Sequence, residues 1–171
     1  MSMEMHHMFM EEAIKEAEKA AALGEVPIGA VVVRDGEIVG RGHNLRELEH
    51  DPTAHAEICA MRDAGKNTGG WRLENCTLYV TMEPCPMCCG AMINSRIDTV
   101  VFGATEPKFG SAGSQLNLLQ FPGFNHNVHI VGPIDQERCS GLMKQFFVDL
   151  RNKRRQQKEA ALQETADSEK E

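Results

Sequence analysis

The sequence predicts one α/β domain with a mixed sheet of about five strands and helices on both faces. Its 171 residues fall in the usual size range of a single domain. Segments whose apolar residues recur at helical spacing alternate with short β-branched segments. Asp35-Gly36 separates the first two β-branched segments and is typical of a tight hairpin, which predicts an antiparallel pair. A helical segment between two later strands predicts a parallel pair joined by a right-handed crossover.

The first half of the chain has the pattern of a helix, two strands and a second helix. We expect these elements at residues 5–23, 28–33, 37–44 and 54–64. Gly24 and Gly65 follow the two helical patterns, and glycine is the preferred residue just past a helix end. Asp51-Pro52-Thr53 offers turn and capping groups before the second helix. The sequence therefore predicts where these two helices begin and end as well as which of their residues are apolar.

The second half predicts the crossover unit, a loop and a last strand and helix. Strands are expected at residues 76–82, 98–103 and 128–131, and helices at 86–95, 114–119 and from 135 through 150. Pro86 stands at the first position of its helix, where proline is favoured. We expect residues 1–156 to form the domain and residues 157–171 to form a charged tail that frays.

Charge and hydropathy limit the location and the partners of the protein. No apolar run approaches the roughly 20 residues that cross a bilayer, and the first ten residues lack signal-peptide features, so we expect a cytoplasmic protein without membrane contact. The net charge of −7 argues against a nucleic-acid partner, but residues 156–171 contribute −3 of it. A run without acids precedes the acidic tail and contains Arg151, Lys153, Arg154, Arg155 and Lys158. Such a run is more often a solvated helix end than an RNA contact.

Two short motifs carry the chemistry, His55-Ala56-Glu57 and Pro84-Cys85-Pro86-Met87-Cys88. Cys85 and Cys88 lie three residues apart in the first turn of a helix, so their sulfurs face the same way. His55 lies in the first turn of another helix, so the positive ends of two helices would converge. One imidazole and two thiolates suit one zinc ion per chain and leave the fourth position to water, which is typical of a catalytic site.

Glu57 is expected to act as the acid and base of this site. Two residues from His55, it can border the activated water and move its proton to a departing amino group. The alternative is a structural zinc site with Cys89 as the fourth ligand. Its adjacency to Cys88 turns the Cys89 side chain by roughly 100° around the helix, which disfavours this ligand set.

The motifs resemble those of the bacterial tRNA-specific adenosine deaminases, whose His-x-Glu and Pro-Cys-x-x-Cys signature is established for zinc deaminases. The resemblance covers about residues 8–155 and includes the segments 26–31, 51–57, 84–92, 96–97, 102–104, 124–126 and 146–147. It implies a three-layer, cytidine-deaminase-like fold and a homodimer whose subunits both contribute to RNA binding. The implied reaction converts adenosine to inosine at the wobble position of a tRNA anticodon.

The resemblance also implies roles for individual residues. Asn44 would hydrogen-bond the flipped nucleoside, although such an Asn is more often a turn former, and Ile28 and Ala56 would form the pocket wall. The implied contacts to the anticodon stem-loop are Glu106, Lys108, Asn125, Phe147 and Arg151. Without the resemblance, Ile28 and Phe147 would be assigned to the core. The chain departs from the family pattern at Glu106, where Asp is usual, and at Thr105, where a charged residue is more common.

Two other functions fit part of the pattern. A deaminase of a free base or nucleotide, with guanine as the first choice, would use the same zinc chemistry. A zinc-stabilised RNA-binding module without catalysis would need four protein ligands.

Overall fold

The computed structural model describes residues 1–168, with side chains through Thr165, and its elements follow the predicted order. The helices are α1 (Met3–Ala22), α2 (Ala56–Thr68), α3 (Pro86–Ser95) and α4 (Gln136–Ser168). The strands are β1 (Gly29–Arg34), β2 (Glu37–His43), β3 (Cys76–Met82), β4 (Thr99–Ala104) and β5 (His129–Val131).

The five strands form one mixed sheet, as the sequence predicts, and their order in it is β2-β1-β3-β4-β5. β1 pairs antiparallel with β2 and β3, whereas β4 pairs parallel with β3 and β5. The turn between β1 and β2 contains Asp35 at φ 53° and Gly36 at φ 79°. Positive φ at both turn residues is the geometry that Asp-Gly favours, so this hairpin prediction is confirmed.

Helices cover both faces of the sheet and produce three layers. Along β1, the side chain of Val32 belongs to the cluster that contains α2 and α3, while Val31 and Val33 belong to the cluster that contains α1 and α4. This alternation is the two-residue period of a strand that is buried on both faces. The predicted αβα architecture is therefore confirmed.

Close contact between β2 and α2 places the start of α2 relative to the sheet. A Cβ atom on Gly40 would lie 2.4 Å from the carbonyl oxygen of Ala60, and one on Gly42 would lie 2.3 Å from the amide nitrogen of Ala60. Only glycine allows the two backbones to approach this closely. The helix that begins next to His55 is thus held directly against the sheet.

One predicted helix boundary and one predicted helix are wrong. α2 does not end at Gly65 but continues through Thr68, and Gly69 ends it in the left-handed conformation at φ 76°. Residues 114–119 form turns and an isolated bridge between Ala112 and Asn117 instead of a short helix. The backbone amide of Ser114 donates to the side chain of Glu83 rather than within a helix, and a tertiary contact of this kind overrides local propensity.

The last helix extends well beyond the predicted domain. α4 continues past residue 157 to Ser168, and the side chains of residues 157–165 are exposed. The division at residue 156 and the fraying of the tail stay predictions, and residues 169–171 of that tail lie outside the described residues. Within residues 1–168, no helix combines the length and the apolar character needed to cross a membrane.

Candidate active site

Two helix starts meet at one point, and each contributes a potential metal ligand. His55 is the N-cap of α2, and Cys85 is the N-cap of α3; both have an extended backbone rather than lying inside the first turn as predicted. Cys88 follows within the first turn of α3. Nδ1 of His55 lies 3.6 Å from the sulfur of Cys85 and 3.6 Å from that of Cys88. The structure therefore brings the three predicted ligands together.

The distances fit a single tetrahedral metal ion. An ion that binds sulfur at about 2.3 Å and nitrogen at about 2.0–2.1 Å separates these atoms by roughly 3.6 Å in a tetrahedron. All three ligand atoms lie within 4.8 Å of one another. Among the described residues this cluster contains three ligands, and the Cys89 sulfur instead donates to the carbonyl oxygen of Pro84 at 3.8 Å. The donor set is that of a metal site with a fourth position for water.

Hydrogen bonding inside the cluster favours a thiolate. A hydrogen bond from the Cys88 thiol to the Cys85 sulfur lowers the pKa of Cys85 to about 4 and raises the pKa of Cys88. The hydrogen bond from His55 to Cys85 raises the pKa of the imidazole. Because thiolates rather than thiols bind metals, an ion would displace the Cys88 proton on binding.

Glu57 lies beside the cluster in the first turn of α2. Its side chain is only 4% exposed. Burial raises the pKa of Glu57 to about 7, and the nearby Cys85 thiolate acts in the same direction. A carboxyl group whose pKa lies near neutrality can both accept and donate a proton, which is the property that a general acid and base needs.

A cleft of about 650 Å³ opens onto the cluster. Eight residues with a predicted role line this cleft: Ile28, Asn44, His55, Ala56, Glu57, Cys85, Glu106 and Phe147. Asn44 is 6% exposed and follows β2; its backbone amide donates to the carbonyl oxygen of Ile28 at 3.1 Å. Its side-chain amide is 3.4 Å from the carbonyl oxygen of Val26. These contacts fix Asn44 in the wall of the cleft.

The other three predicted contact residues lie outside the cleft lining. Lys108 lies in the loop that follows β4, and its backbone amide donates to the Glu106 side chain at 2.8 Å. Asn125 is exposed and accepts a hydrogen bond from Arg96 at 3.2 Å. Arg151 is exposed on α4, one helical turn beyond Phe147.

Sequence reasoning missed several lining residues. Glu83-Pro84 was interpretable from sequence only as a strand end, although the buried Glu83 lines the cleft. Phe109 is 66% exposed at the cleft, and an exposed aromatic residue in a loop is a signal that could have indicated a binding role. The remaining missed lining residues are Val26, Arg46, Met82, Pro86 and Met87.

A His/Cys/Cys cluster beside a buried glutamate, on helix starts that pack against a mixed sheet, defines the class of cytidine-deaminase-like hydrolytic deaminases. The chain matches the family model described as MafB19-like deaminase over residues 4–151. It is 52% identical over 153 residues to the tRNA-specific adenosine deaminase of Bacillus subtilis (strain 168), covering 90% of this chain and 95% of that protein. The protein belongs to the family of tRNA-specific adenosine deaminases.

Two solved structures show how far the similarity extends. One comes from a study of A-to-I editing by tRNA:A34 deaminases at the wobble position of transfer RNA; it is 38% identical, with a TM-score of 0.76, and covers 79% of this chain and 98% of that one. The other is guanine deaminase from Bacillus subtilis, 33% identical with a TM-score of 0.58, covering 86% of this chain and 94% of that one. The fold is therefore shared with deaminases of different substrates.

Proposed function

We propose that this protein hydrolyses adenosine to inosine at the wobble position of a tRNA anticodon and uses one zinc ion per chain. The observation that carries the proposal is the His55, Cys85 and Cys88 cluster beside the buried Glu57, in a chain 52% identical to a tRNA-specific adenosine deaminase. Soft sulfur and imidazole donors in tetrahedral arrangement favour zinc over harder ions. When bound, zinc supplies the activation of water at neutral pH.

Glu57 moves the protons in the proposed reaction. Its carboxylate accepts a proton from the attacking water and delivers a proton to the amino group at C6 of adenine. The C6–O bond forms first and makes C6 tetrahedral, and the C6–N bond then breaks. One proton of the water ends on N1 of the base and the other on the departing amino group, so adenosine and water give inosine and ammonia. The pKa of about 7 suits this double role, because neither protonation state of Glu57 is strongly favoured near neutral pH.

The cleft would receive one adenosine turned out of the anticodon loop. Extrusion of a base costs a few kcal/mol and costs least in single-stranded RNA, which favours a loop over a duplex. Asn44 offers an amide to hydrogen-bond the nucleoside, and Ile28 and Ala56 offer an apolar wall. These three residues are the proposed nucleoside contacts.

The neighbouring nucleotides would contact the rim of the cleft. Phe147 supplies an aromatic surface for stacking, and Lys108 and Arg151 supply positive charge for phosphates. Glu106 and Asn125 offer hydrogen-bonding groups. The exposed positions of Lys108, Asn125 and Arg151 support contacts to the loop rather than to the base in the cleft.

We further propose that the protein is a cytoplasmic homodimer. Besides the family resemblance, an apolar groove of about 520 Å³ between α2 and α3 supports a second copy as partner. Ile58, Met61 and Leu73 line this groove together with Trp71, whose side chain is 63% exposed. Aromatic residues such as Trp71 are enriched in the contacts between protein chains.

Guanine deamination is the second candidate function. It is favoured by the 33% identity to a guanine deaminase over 86% of the chain.

One experiment distinguishes the two candidate functions. Zinc-loaded protein should be given an anticodon stem-loop with a wobble adenosine, the same hairpin with guanosine at that position, and free guanine. The proposal predicts inosine in the first hairpin and no ammonia from guanine. Ammonia from guanine alone would favour the second candidate, and four protein ligands without any inosine would indicate a non-catalytic module.

A further inference from the structure

Glu83 is a buried acidic residue between the sheet and the metal cluster. It follows Met82 at the end of β3 and precedes Cys85 by two residues. Its side chain is 3% exposed, and its backbone amide donates to the carbonyl oxygen of Ala104 at 2.7 Å. The ends of β3 and β4 therefore fix the backbone from which this carboxylate projects.

The carboxylate of Glu83 accepts four hydrogen bonds, all from the segment Glu106–Ser114, which we name the pocket loop. Oε1 accepts from the backbone amides of Ala112 at 3.1 Å and Ser114 at 2.9 Å. Oε2 accepts from the backbone amide of Glu106 at 3.0 Å and from the Ser114 hydroxyl group. Four bonds use the full acceptor capacity of the two oxygens. Both ends of the pocket loop are thus tied to one side chain.

The backbone of the pocket loop is shaped around this carboxylate. A Cβ atom on Gly110 would lie 2.5 Å from Oε2 of Glu83, so a larger residue would collide with the carboxylate. The backbone amide of Ser111 donates to the carbonyl oxygen of Pro84 at 2.9 Å, which adds a direct tie to the residue before Cys85. The loop therefore packs against the start of the metal-binding helix α3.

The pocket loop carries side chains that line the cleft. Glu106 and Phe109 belong to the lining, and Lys108 lies between them in sequence. The loop is built of turns, with the backbone amide of Gly110 donating to the carbonyl oxygen of Glu106 at 2.9 Å, and of one isolated bridge between Ala112 and Asn117. The four hydrogen bonds to Glu83 and the one from Ser111 to Pro84 tie these turns to the residues before α3.

We propose that Glu83 is a positioning residue: it holds the pocket loop against the start of α3 and thereby sets the wall of the cleft that meets the RNA. All four hydrogen bonds of its carboxylate go to the pocket loop, so it acts through the residues of that loop, Glu106, Phe109 and Lys108. The role in RNA binding rests on the proposed function, whereas the role in holding the loop does not.

Glu83→Gln tests this role with little change in volume. Both oxygens of Glu83 face backbone N–H groups, so either orientation of the glutamine amide sets an NH2 donor against a donor. Ser114→Ala removes one of the four hydrogen bonds, and Gly110→Ala places a methyl group against the carboxylate. Both variants should loosen the pocket loop as Glu83→Gln does, to different extents. Ile14→Val is the control, because it removes buried volume on the opposite face of the sheet.

The first measurement is the rate of trypsin cleavage after Lys108 in the folded protein, which follows local opening of the loop. We expect Glu83→Gln to be cleaved there roughly tenfold faster than wild type, as the loss of a hydrogen bond to a charged group implies. Ile14→Val should match wild type. Equal cleavage rates for Glu83→Gln, Gly110→Ala and wild type would overturn the proposal, whatever the substrate of the enzyme.

The second measurement separates positioning from general destabilisation. With an anticodon stem-loop as substrate, Glu83→Gln should raise KM by about tenfold while the metal content per chain is unchanged. A protein that is merely destabilised would have a smaller active fraction and a lower apparent kcat, with an unchanged KM. Ile14→Val should show this behaviour at a temperature near its unfolding transition. An unchanged KM in a variant that is cleaved faster would remove the RNA part of the proposal. Absence of inosine with wild type would instead contradict the proposed function.

Discussion

Two adjacent cysteines in the first turn of α3 have different environments. The Cys88 sulfur lies 3.6 Å from Nδ1 of His55, whereas the Cys89 sulfur donates to the carbonyl oxygen of Pro84. Both side chains are fully buried, so exposure does not distinguish them. The difference comes from the turn of roughly 100° between successive helical residues.

This contrast gives a matched pair of variants. Cys88→Ala should lose the bound metal, because two remaining ligands hold an ion far more weakly than three. Cys89→Ala should retain about one metal ion per chain, since it removes no proposed ligand. The metal content of each variant after dialysis, measured by mass spectrometry, distinguishes a ligand from a residue that does not bind the ion. Loss of metal in both variants to the same extent would contradict the three-ligand assignment.

Sequence spacing was sufficient for the metal cluster and insufficient for the cleft wall. His55, Cys85 and Cys88 are predictable because ligands on helix starts follow from a short motif and the helical repeat. Glu83 is not predictable in the same way, because its partners are backbone amides that any residue carries. Its position before Pro84 reveals a strand end and nothing about the loop that folds over it.

At the scale of elements, α1 is joined to the sheet through a buried tyrosine. The Tyr79 hydroxyl lies 3.0 Å from Nδ1 of His6, and the ring packs against Phe9 at a centroid distance of 5.2 Å. Burial raises the pKa of Tyr79 to about 12. The contact between α1 and β3 therefore depends on a neutral hydroxyl group.

Stability should fall in alkaline solution because of this tyrosine. The unfolded chain loses the Tyr79 proton near pH 10, while the folded chain keeps it until about pH 12. The stabilisation is fully present below pH 10 and is lost between pH 10 and 12, at about 1.4 kcal/mol per pH unit. Urea unfolding at pH 8 and pH 11 should show that wild type loses about 1 kcal/mol more than Tyr79→Phe. Equal losses in the two proteins would exclude Tyr79 as the cause.

Helices and strands were predicted correctly where one clear sequence signal marks the segment. β3 and α3 have their predicted bounds, because continuous apolar residues and a proline at the first helical position mark them clearly. The segment 114–119 failed because Ser114 is held by Glu83, a contact over 31 positions in the chain. α2 continues past Gly65 because that glycine has an ordinary helical backbone, whereas Gly69 adopts the left-handed backbone conformation that ends the helix.

At the scale of the whole molecule, charge is distributed unevenly despite the net value of −7. The exposed part of α4 carries Arg151, Lys153, Arg154 and Arg155 without an intervening acid, next to Phe147 at the cleft. Such a local positive surface can attract phosphates even in an acidic protein. The proposed RNA path runs from the cleft along this helix.

Arg151→Gln should weaken binding of an anticodon stem-loop in a salt-dependent way. A single-stranded phosphate contact contributes about 0.7 to the slope of log Kd against log salt, so the slope should fall by about this amount. Lys15→Gln removes the same charge from α1, where Lys15 pairs with Glu12, and should leave the slope unchanged. Fluorescence anisotropy between about 50 and 200 mM salt measures both slopes. Identical slopes for the two variants would contradict the proposed path.

The central claim is that Glu57 and the metal cluster together convert a wobble adenosine to inosine. The most direct test measures inosine in an anticodon stem-loop with the anticodon ACG, using wild type and Glu57→Ala with their metal content determined in parallel. We predict inosine with wild type, a loss of at least about 10²-fold with Glu57→Ala, and equal metal content. Inosine formation by Glu57→Ala at the wild-type rate, or none by metal-loaded wild type, would contradict the claim.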